Sequence, residues 1–289
     1  MALREIGRAK LNLTLEILGR RADGYHELSS LVAFPGLGDE LTLEPGSALE
    51  FGIEGPFAQS LSGDNLVVKA AEAASVSAPG IKLGGFRLVK RLPVAAGLGG
   101  GSADAAAALR LIASANRGAL SQTAMAAIAA CLGSDVTVCL ASRPSLMTGR
   151  GETVEPVYGF PACGVLLANP GIPLSAASVY AELRADDLRA PLLLGGEGAP
   201  DFHADFSQLL AYALSRPNDL EAPAARLVPE IREVLAALLA LDGPRLARLS
   251  GSGPTCFALF ATEAEAASAG VRLAAEFPHW WVAASALGS

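Results

Sequence analysis

Leu11, Leu13, Leu15 and Ile17 alternate with Asn12, Thr14 and Glu16. A period of two predicts a half-buried strand, because successive side chains point to opposite faces. Lys10 and Asn12 then share its polar face. Further strands are predicted over Leu28–Phe34, Glu40–Glu44, Leu49–Ile53 and Ile81–Leu92, separated by Gly and Pro turns. Helical spacing covers Asn65–Val76, an alanine- and leucine-rich stretch from Ser102 to about Ala115, and Ser121–Cys131. The second half repeats the mixture. Strands are expected at Cys163–Asn169, Arg245–Leu249, Cys256–Ala261 and Trp280–Ser285, and helices at Ser175–Arg184, Pro229–Leu241 and Glu263–Phe277. The pattern is α+β in two layers. Pro156, Gly159 and Pro161 mark a boundary near Glu155–Pro161, and Pro191–Pro200 reads as a long surface loop.

Composition narrows the class. The 289 residues carry 22 Lys+Arg against 29 Asp+Glu, a net charge of -7, and 51% are hydrophobic. That suffices for a real core and excludes a disordered chain. An acidic chain without a basic stripe is a poor binder of nucleic acid. Ala103–Ala115 is broken by Asp104 and Arg110, so no transmembrane span is expected. Met1–Leu15 lacks the apolar block of a signal peptide, which makes the cytoplasm the expected location. Cys131, Cys139, Cys163 and Cys256 form no CxxC pair, and His26, His203 and His279 are scattered. A structural zinc site is not expected, and four buried thiols are.

The most informative segment is Pro93-Val94-Ala95-Ala96-Gly97-Leu98-Gly99-Gly100-Gly101-Ser102-Ala103-Asp104, between a strand and a helix. Four glycines in the five positions 97–101 remove side chains, so backbone N–H groups can converge on a ligand. The following helix adds unpaired N–H groups and a positive dipole end, which suits a polyphosphate. It is not a Walker A loop, since no Gly-Lys-Ser/Thr ends it, and it fits neither GxGxxG nor GxSxG. A structural turn would read the same way. Ser102 could serve as the helix cap, and Asp104 could favour the helix dipole from its first turn. A second glycine loop, Ser250-Gly251-Ser252-Gly253-Pro254, could equally be a hairpin-like turn.

Three segments then occur in a fixed order: Ala9-Lys10-Leu11-Asn12-Leu13, Pro93–Asp104 and Leu249–Phe260. Together they resemble the GHMP kinases, whose phosphate loop reads Pro-x-x-x-Gly-Leu-Gly followed by small residues. Gly19-Arg20-Arg21-Ala22-Asp23-Gly24-Tyr25-His26-Glu27-Leu28 is similar to the signature of one branch, which phosphorylates a cytidine diphosphate adduct of methylerythritol. Gly133-Ser134-Asp135-Val136 resembles its catalytic aspartate segment, and Asn218-Asp219-Leu220-Glu221 another of its short motifs. Ala103 stands where a second serine is usual, and Gly7-Arg8 where a proline-containing run is usual. Asp187–Phe206 matches nothing in the pattern.

The resemblance implies a two-domain GHMP kinase fold: an N-terminal mixed α/β domain (1–158), a C-terminal ferredoxin-like domain (159–289), and an active site between them. It implies ATP with Mg²⁺, bound along Pro93–Ala103, with the late glycine loop closing over the same site. Asp135 is the implied base, since a carboxylate in reach can accept the proton of an attacking hydroxyl. Lys10 is its implied cationic partner, neutralising charge at the transferring group. Tyr25, His26 and Tyr180 are implied to hold the cytosine of cytidine diphosphate methylerythritol, and Asn12 to hydrogen-bond the substrate. Without the family, Asp135 reads as a helix cap, Lys10 as an exposed strand lysine, Tyr25 and His26 as a turn with surface aromatics, and Tyr180 as a core tyrosine. Rival readings are a homoserine, mevalonate or sugar kinase of the same superfamily, a catalytically dead nucleotide-binding module, and a structural protein using its Ala-rich helices.

Overall fold

A computed structural model describes residues 1–60, 64–188 and 198–288. In chain order the strands are β1 (Leu3–Arg8), β2 (Leu11–Asn12), β3 (Glu16–Arg20), β4 (His26–Ala33), β5 (Gly38–Glu44), β6 (Glu50–Glu54), β7 (Gly85–Val89), β8 (Ser145–Gly149), β9 (Thr153–Pro156), β10 (Cys163–Asn169), β11 (Leu246–Leu249), β12 (Cys256–Phe260) and β13 (Trp281–Leu287). The helices are α1 (Leu66–Ser77), α2 (Gly100–Ala115), α3 (Gln122–Leu132), α4 (Ser134–Ala141), α5 (Ala176–Ala181), α6 (Phe206–Ser215), α7 (Glu221–Leu227), α8 (Glu230–Ala240) and α9 (Glu263–Glu276). They fall into two compact units.

The first unit is Met1–Lys10, Leu37–Val94 and Gly99–Ser142. Its sheet runs β1-β5-β7-β6, antiparallel except for the parallel pair β6–β7. α1 starts at Asn65, whose side chain accepts from the Val67 amide and satisfies one of the helix's orphan donors. Its buried stripe is Val67, Ala70, Ala71 and Ala74, the spacing of one helical face. α2 is buried at every position from Ala103 to Leu109. Alanine suits that site, because it packs against β1, β5, α1 and α4 without needing room on any side.

The second unit is Leu11–Gly36, Ala95–Leu98 and Arg143–Ser289. One sheet runs β2-β4-β8-β9, with β3 also on β4. The other runs β11-β12-β10-β13 and is antiparallel throughout. With helices between β10 and β11 and α9 between β12 and β13, that order is the ferredoxin-like arrangement. Every residue of β10 is buried. Leu166, Leu249, Ala258 and Phe260 of this sheet meet Val234 and Leu238 of α8 and Leu273 of α9 in one core.

The structure corrects several local expectations. The alternating run 11–17 is not one half-buried strand: β2 and β3 are separate, and Leu13, Thr14 and Leu15 between them are all buried. The Leu13 amide still donates to Leu31 O of β4, but other bonds of this stretch leave the regular ladder. Thr14 Oγ1 accepts from the Leu31 amide, and the Leu15 amide donates to Pro217 O. The strand over 81–92 shortens to β7, because Gly84 adopts φ +89 just before it. Cys139, Cys163 and Cys256 are buried as expected, but Cys131, near the end of α3, is exposed. The patterns also missed β1, β8, β9, α6 and α7. Most of the Pro191–Pro200 loop lies outside the described residues.

Candidate active site

The glycine loop becomes a helix start earlier than its sequence suggested. Gly99 is the residue before α2, held at φ 61, and Gly100 is already helical. The left-handed conformation costs glycine little, and no side chain caps this end. Ser102 is therefore the third residue of the helix rather than its cap, and Asp104 lies beyond the first turn. The first-turn amides of α2 have no side-chain acceptor of their own, and Gly99 puts no side chain between them and Lys10 and Asp135. That donor set fits a polyphosphate.

Lys10 and Asp135 meet at this helix start. Lys10 Nζ donates to Asp135 Oδ1 at 2.7 Å, across 125 positions of sequence. The lysine is not the exposed strand residue its pattern allowed: its side chain is 7% accessible, against 41% for Asp135. Asp135 sits in the first turn of α4, which begins after Gly133. A Cβ placed on Gly99 would lie 3.2 Å from Lys10 Cβ and 3.7 Å from Asp135 Oδ2. The pair thus packs on the residue where the glycine loop enters α2, and a side chain at that position would crowd it.

Behind the same helix end lies a cluster that the sequence did not reveal. Lys90 Nζ donates to Asp39 Oδ2 at 2.5 Å and to Asp104 Oδ2 at 2.8 Å, and all three side chains are nearly inaccessible. Asp39 Oδ1 also accepts from the Arg91 and Leu92 amides. Burial works against the charge of Lys90, but the two carboxylates outweigh it and hold its pKa above the usual lysine value. Burial pushes Asp104 up to about 7; Lys90 opposes that shift and Asp39 adds to it. Asp39 and Lys90 sit 51 positions apart, so no local motif could have signalled them.

In the second unit, the earlier part of the loop is tied to the late glycine loop. Ser250 Oγ donates to Gly97 O at 3.0 Å, and the Thr255 amide donates to Ala96 O at 3.3 Å. Gly97, at φ +72, leaves no space for a side chain: a Cβ would collide with the Ser250 carbonyl and lie 2.7 Å from Gly253 N. The 250–254 segment is therefore more than a turn between β11 and β12. Asn12 joins this cluster. Its amide donates to Ser250 Oγ, and its Nδ2 donates to Ser30 Oγ at 2.8 Å. Asn12 Oδ1 is buried with no hydrogen-bond partner among the described residues. Asn218 Nδ2 donates to the carbonyls of Leu249 and Gly251, and Glu221 Oε2 accepts from the Leu249 amide. The Asn218–Glu221 motif thus anchors the late loop.

Tyr25, His26 and Tyr180 come together as a separate pocket of this unit, about 410 Å³, lined also by Arg20, Leu28 and Arg150. His26 stacks on Tyr180 with ring centroids 5.2 Å apart and 24° between planes. A base sandwiched between two rings needs them about 7 Å apart, two contact distances. A base would therefore lie beside this pair, not between its rings. Tyr25 is exposed, with the Arg150 guanidinium 5.0 Å over its ring. Burial, and then the Arg20 charge, lower the pKa of His26, which favours the neutral ring. Arg150 carried no motif signal. Among the described residues, no group of three or more His, Cys, Asp or Glu side chains is gathered for a metal ion.

Residues 65–143 match the model of the GHMP kinases N terminal domain, and residues 200–279 that of the GHMP kinases C terminal domain. A 4-diphosphocytidyl-2-C-methyl-D-erythritol kinase of Rhodopseudomonas palustris (strain BisB5) is 46% identical, over 99% of both chains. The chain belongs to this family of GHMP kinases. Another relative of the same name, from Parvibaculum lavamentivorans, is 47% identical over 98% of each chain. The crystal structure of a 4-(cytidine 5'-diphospho)-2C-methyl-D-erythritol kinase superposes with a TM-score of 0.80 at 33% identity, covering 99% of this chain and 100% of the other. A homoserine kinase from Cytophaga hutchinsonii, 18% identical over 98% of this chain and 94% of its own with a TM-score of 0.70, shares the fold. This chain is therefore a small-molecule kinase, a phosphotransferase that uses ATP. No helix of the described residues is long and apolar enough to cross a membrane.

Proposed function

We propose that this kinase transfers the γ-phosphoryl group of ATP to the 2-hydroxyl of 4-diphosphocytidyl-2-C-methyl-D-erythritol, in the non-mevalonate route to isoprenoid precursors. The observation that carries the mechanism is the Lys10–Asp135 pair packed on Gly99, at the start of a helix whose first-turn amides have no side-chain acceptor. Asp135 accepts the hydroxyl proton as the oxygen attacks. Lys10 fixes one carboxylate oxygen, leaving Oδ2 for that proton, and offsets negative charge near the transferring group. Residues 93–103 hold the phosphates through backbone amides. Tyr25, His26 and Tyr180 hold the cytosine, with Asn12 Oδ1 as a free acceptor for the substrate.

Mg²⁺ arrives with ATP, where it screens the phosphate charge and keeps several waters. The acceptor is a small molecule rather than a nucleic acid, in keeping with the net charge of -7, and the reaction belongs to the cytoplasm. The Asp23–His26 run and the aromatic pocket favour the cytidine substrate over homoserine or mevalonate. The test offers ATP with each acceptor and follows ADP release and the phosphorylated product by ³¹P NMR. Turnover of the cytidine compound alone is expected. Turnover of homoserine or mevalonate without it would reject the assignment.

A further inference from the structure

The Asp39–Lys90–Asp104 cluster holds two carboxylates against one ammonium, and the two are not equally supported. Asp39 accepts three donors: Lys90 Nζ and the amides of Arg91 and Leu92. Asp104 accepts a hydrogen bond from Lys90 Nζ, its carboxyl meets that of Asp39, and its Oδ1 is buried without a hydrogen-bond partner among the described residues. That oxygen lies against the backbone of Gly7 in β1, where a Cβ would come within 2.8 Å of it. A buried anion with an orphaned oxygen is costly, and protonation removes that cost. Asp104 is therefore the member that takes a proton. The cluster then passes from one net negative charge to none.

Its position gives that proton a consequence. Asp104 is on α2, and Lys90 Nζ is 3.1 Å from where a Cβ on Gly100 would be. The cluster thus underlies the helix end whose amides face the phosphates. A polyanion there disfavours a second negative charge close by. The other charged or titratable groups on the elements packed against α2 have their own surroundings and partners. Cys139 of α4 is a buried thiol held neutral by burial, Glu5 of β1 is turned to Arg110, and Lys69 of α1 is paired with Asp64. Glu40 of β5 pairs with Arg4 and Arg91, and Asp135 of α4 pairs with Lys10.

We propose that Asp104 is a proton-linked positioning residue for the nucleotide: a polyphosphate settling on the first turn of α2 draws one proton from solvent onto the Asp104 carboxylate. The proposal rests on the kinase reading and adds a regulation of the same site. Nucleotide affinity then falls as pH rises above neutrality, and binding takes up protons.

Titration calorimetry of a non-hydrolysable ATP analogue with Mg²⁺, at pH about 8 in two buffers of different ionisation enthalpy, measures that uptake. The wild type should take up roughly 0.4 proton per nucleotide more than Asp104→Asn, ligand ionisation being common to both. A merely structural role would weaken binding without changing the proton count, so equal counts overturn the proposal. Absence of binding by the wild type overturns the proposal together with the kinase reading. The wild type alone gives a second measurement that needs no variant to fold. Its affinity for the analogue should weaken by about two- to five-fold between pH 7 and pH 8.5. A flat profile, or one that tightens, overturns the proposal.

Discussion

Lys10 Nζ and Asp135 Oδ1 lie 2.7 Å apart, with the cation buried and the carboxylate open. A carboxylate pinned through one oxygen and exposed at the other is held in orientation without losing its capacity to accept a proton. Asp135→Asn keeps the shape and removes the base. Turnover should fall by about 10²- to 10⁴-fold while affinity for the ATP analogue changes by less than about twofold. Wild-type turnover in this variant would remove Asp135 from the base role. Steady-state kinetics and calorimetry on the same preparation decide it.

Gly97→Ala places a Cβ against the Ser250 carbonyl and forces alanine to φ +72. The left-handed backbone alone costs roughly 1–2 kcal/mol, and the collision adds to it. The expected outcome is a loss of about 2 kcal/mol or more in urea denaturation, together with weaker nucleotide binding. Gly100→Val should act differently. Its φ is helical, but its side chain would press on Lys90 Nζ, which two carboxylates hold in place. Nucleotide affinity is the quantity to follow there, and unchanged affinity would argue against the phosphate-loop assignment.

Stability should carry the signature of Asp104. Its carboxyl titrates near 3.8 in an unfolded chain and about 7 in the native one. Below about pH 4 both states hold the proton and the group contributes no penalty. Between about pH 4 and 7 the native state binds more protons than the unfolded one, so stability drops as pH rises, and the effect is complete above about 7. Denaturant titrations across that window should show a smaller drop for Asp104→Asn than for the wild type. Parallel curves would contradict the raised pKa.

Asn218→Ala removes both hydrogen bonds to the Leu249 and Gly251 carbonyls. These are buried acceptors, and stranding them should cost about 2 kcal/mol. Because the 250–254 segment also braces Gly97, the apparent nucleotide dissociation constant should rise. A variant destabilised with unchanged affinity would separate the two loops energetically.

Arg150→Ala deletes the guanidinium over Tyr25. An exposed cation–π contact is worth about 0.5–1 kcal/mol. KM for the cytidine substrate should therefore increase by roughly two- to five-fold with kcat little changed. An effect on kcat alone would place Arg150 elsewhere in the cycle.

Local pattern revealed what local forces decide. The helix from Asn65, the alanine run of α2 and the apolar run of β10 each appear in the structure close to where spacing put them. The start of α2 was misplaced by two residues because Ser102 is a good cap by type, whereas Gly99 wins by conformation, a choice the residue names do not display. β8 and β9 went unread because their sheet is completed by β4, more than a hundred residues earlier. At the candidate site, Lys10, Asp135, Tyr25 and His26 were singled out through motif resemblance. Their contacts were not legible, since 125 positions separate Lys10 from Asp135. Within the Asp39–Lys90–Asp104 cluster only Asp104 lay in a motif; Asp39 and Lys90 had neither spacing nor motif, only burial, and burial exists only once the chain has folded.

The second unit is stitched from three separate stretches, and residues 11–36 give it β4 as well as Leu15 and Ile17 of its core. No single scission of the polypeptide can release that unit whole. A recombinant piece starting at Arg143 would arrive without β2, β3 and β4 and with a gap where those two aliphatic side chains belong. Expression of half-length fragments should therefore yield aggregates, and any split version of this enzyme must deliver the amino-terminal hairpin along with the carboxy-terminal half.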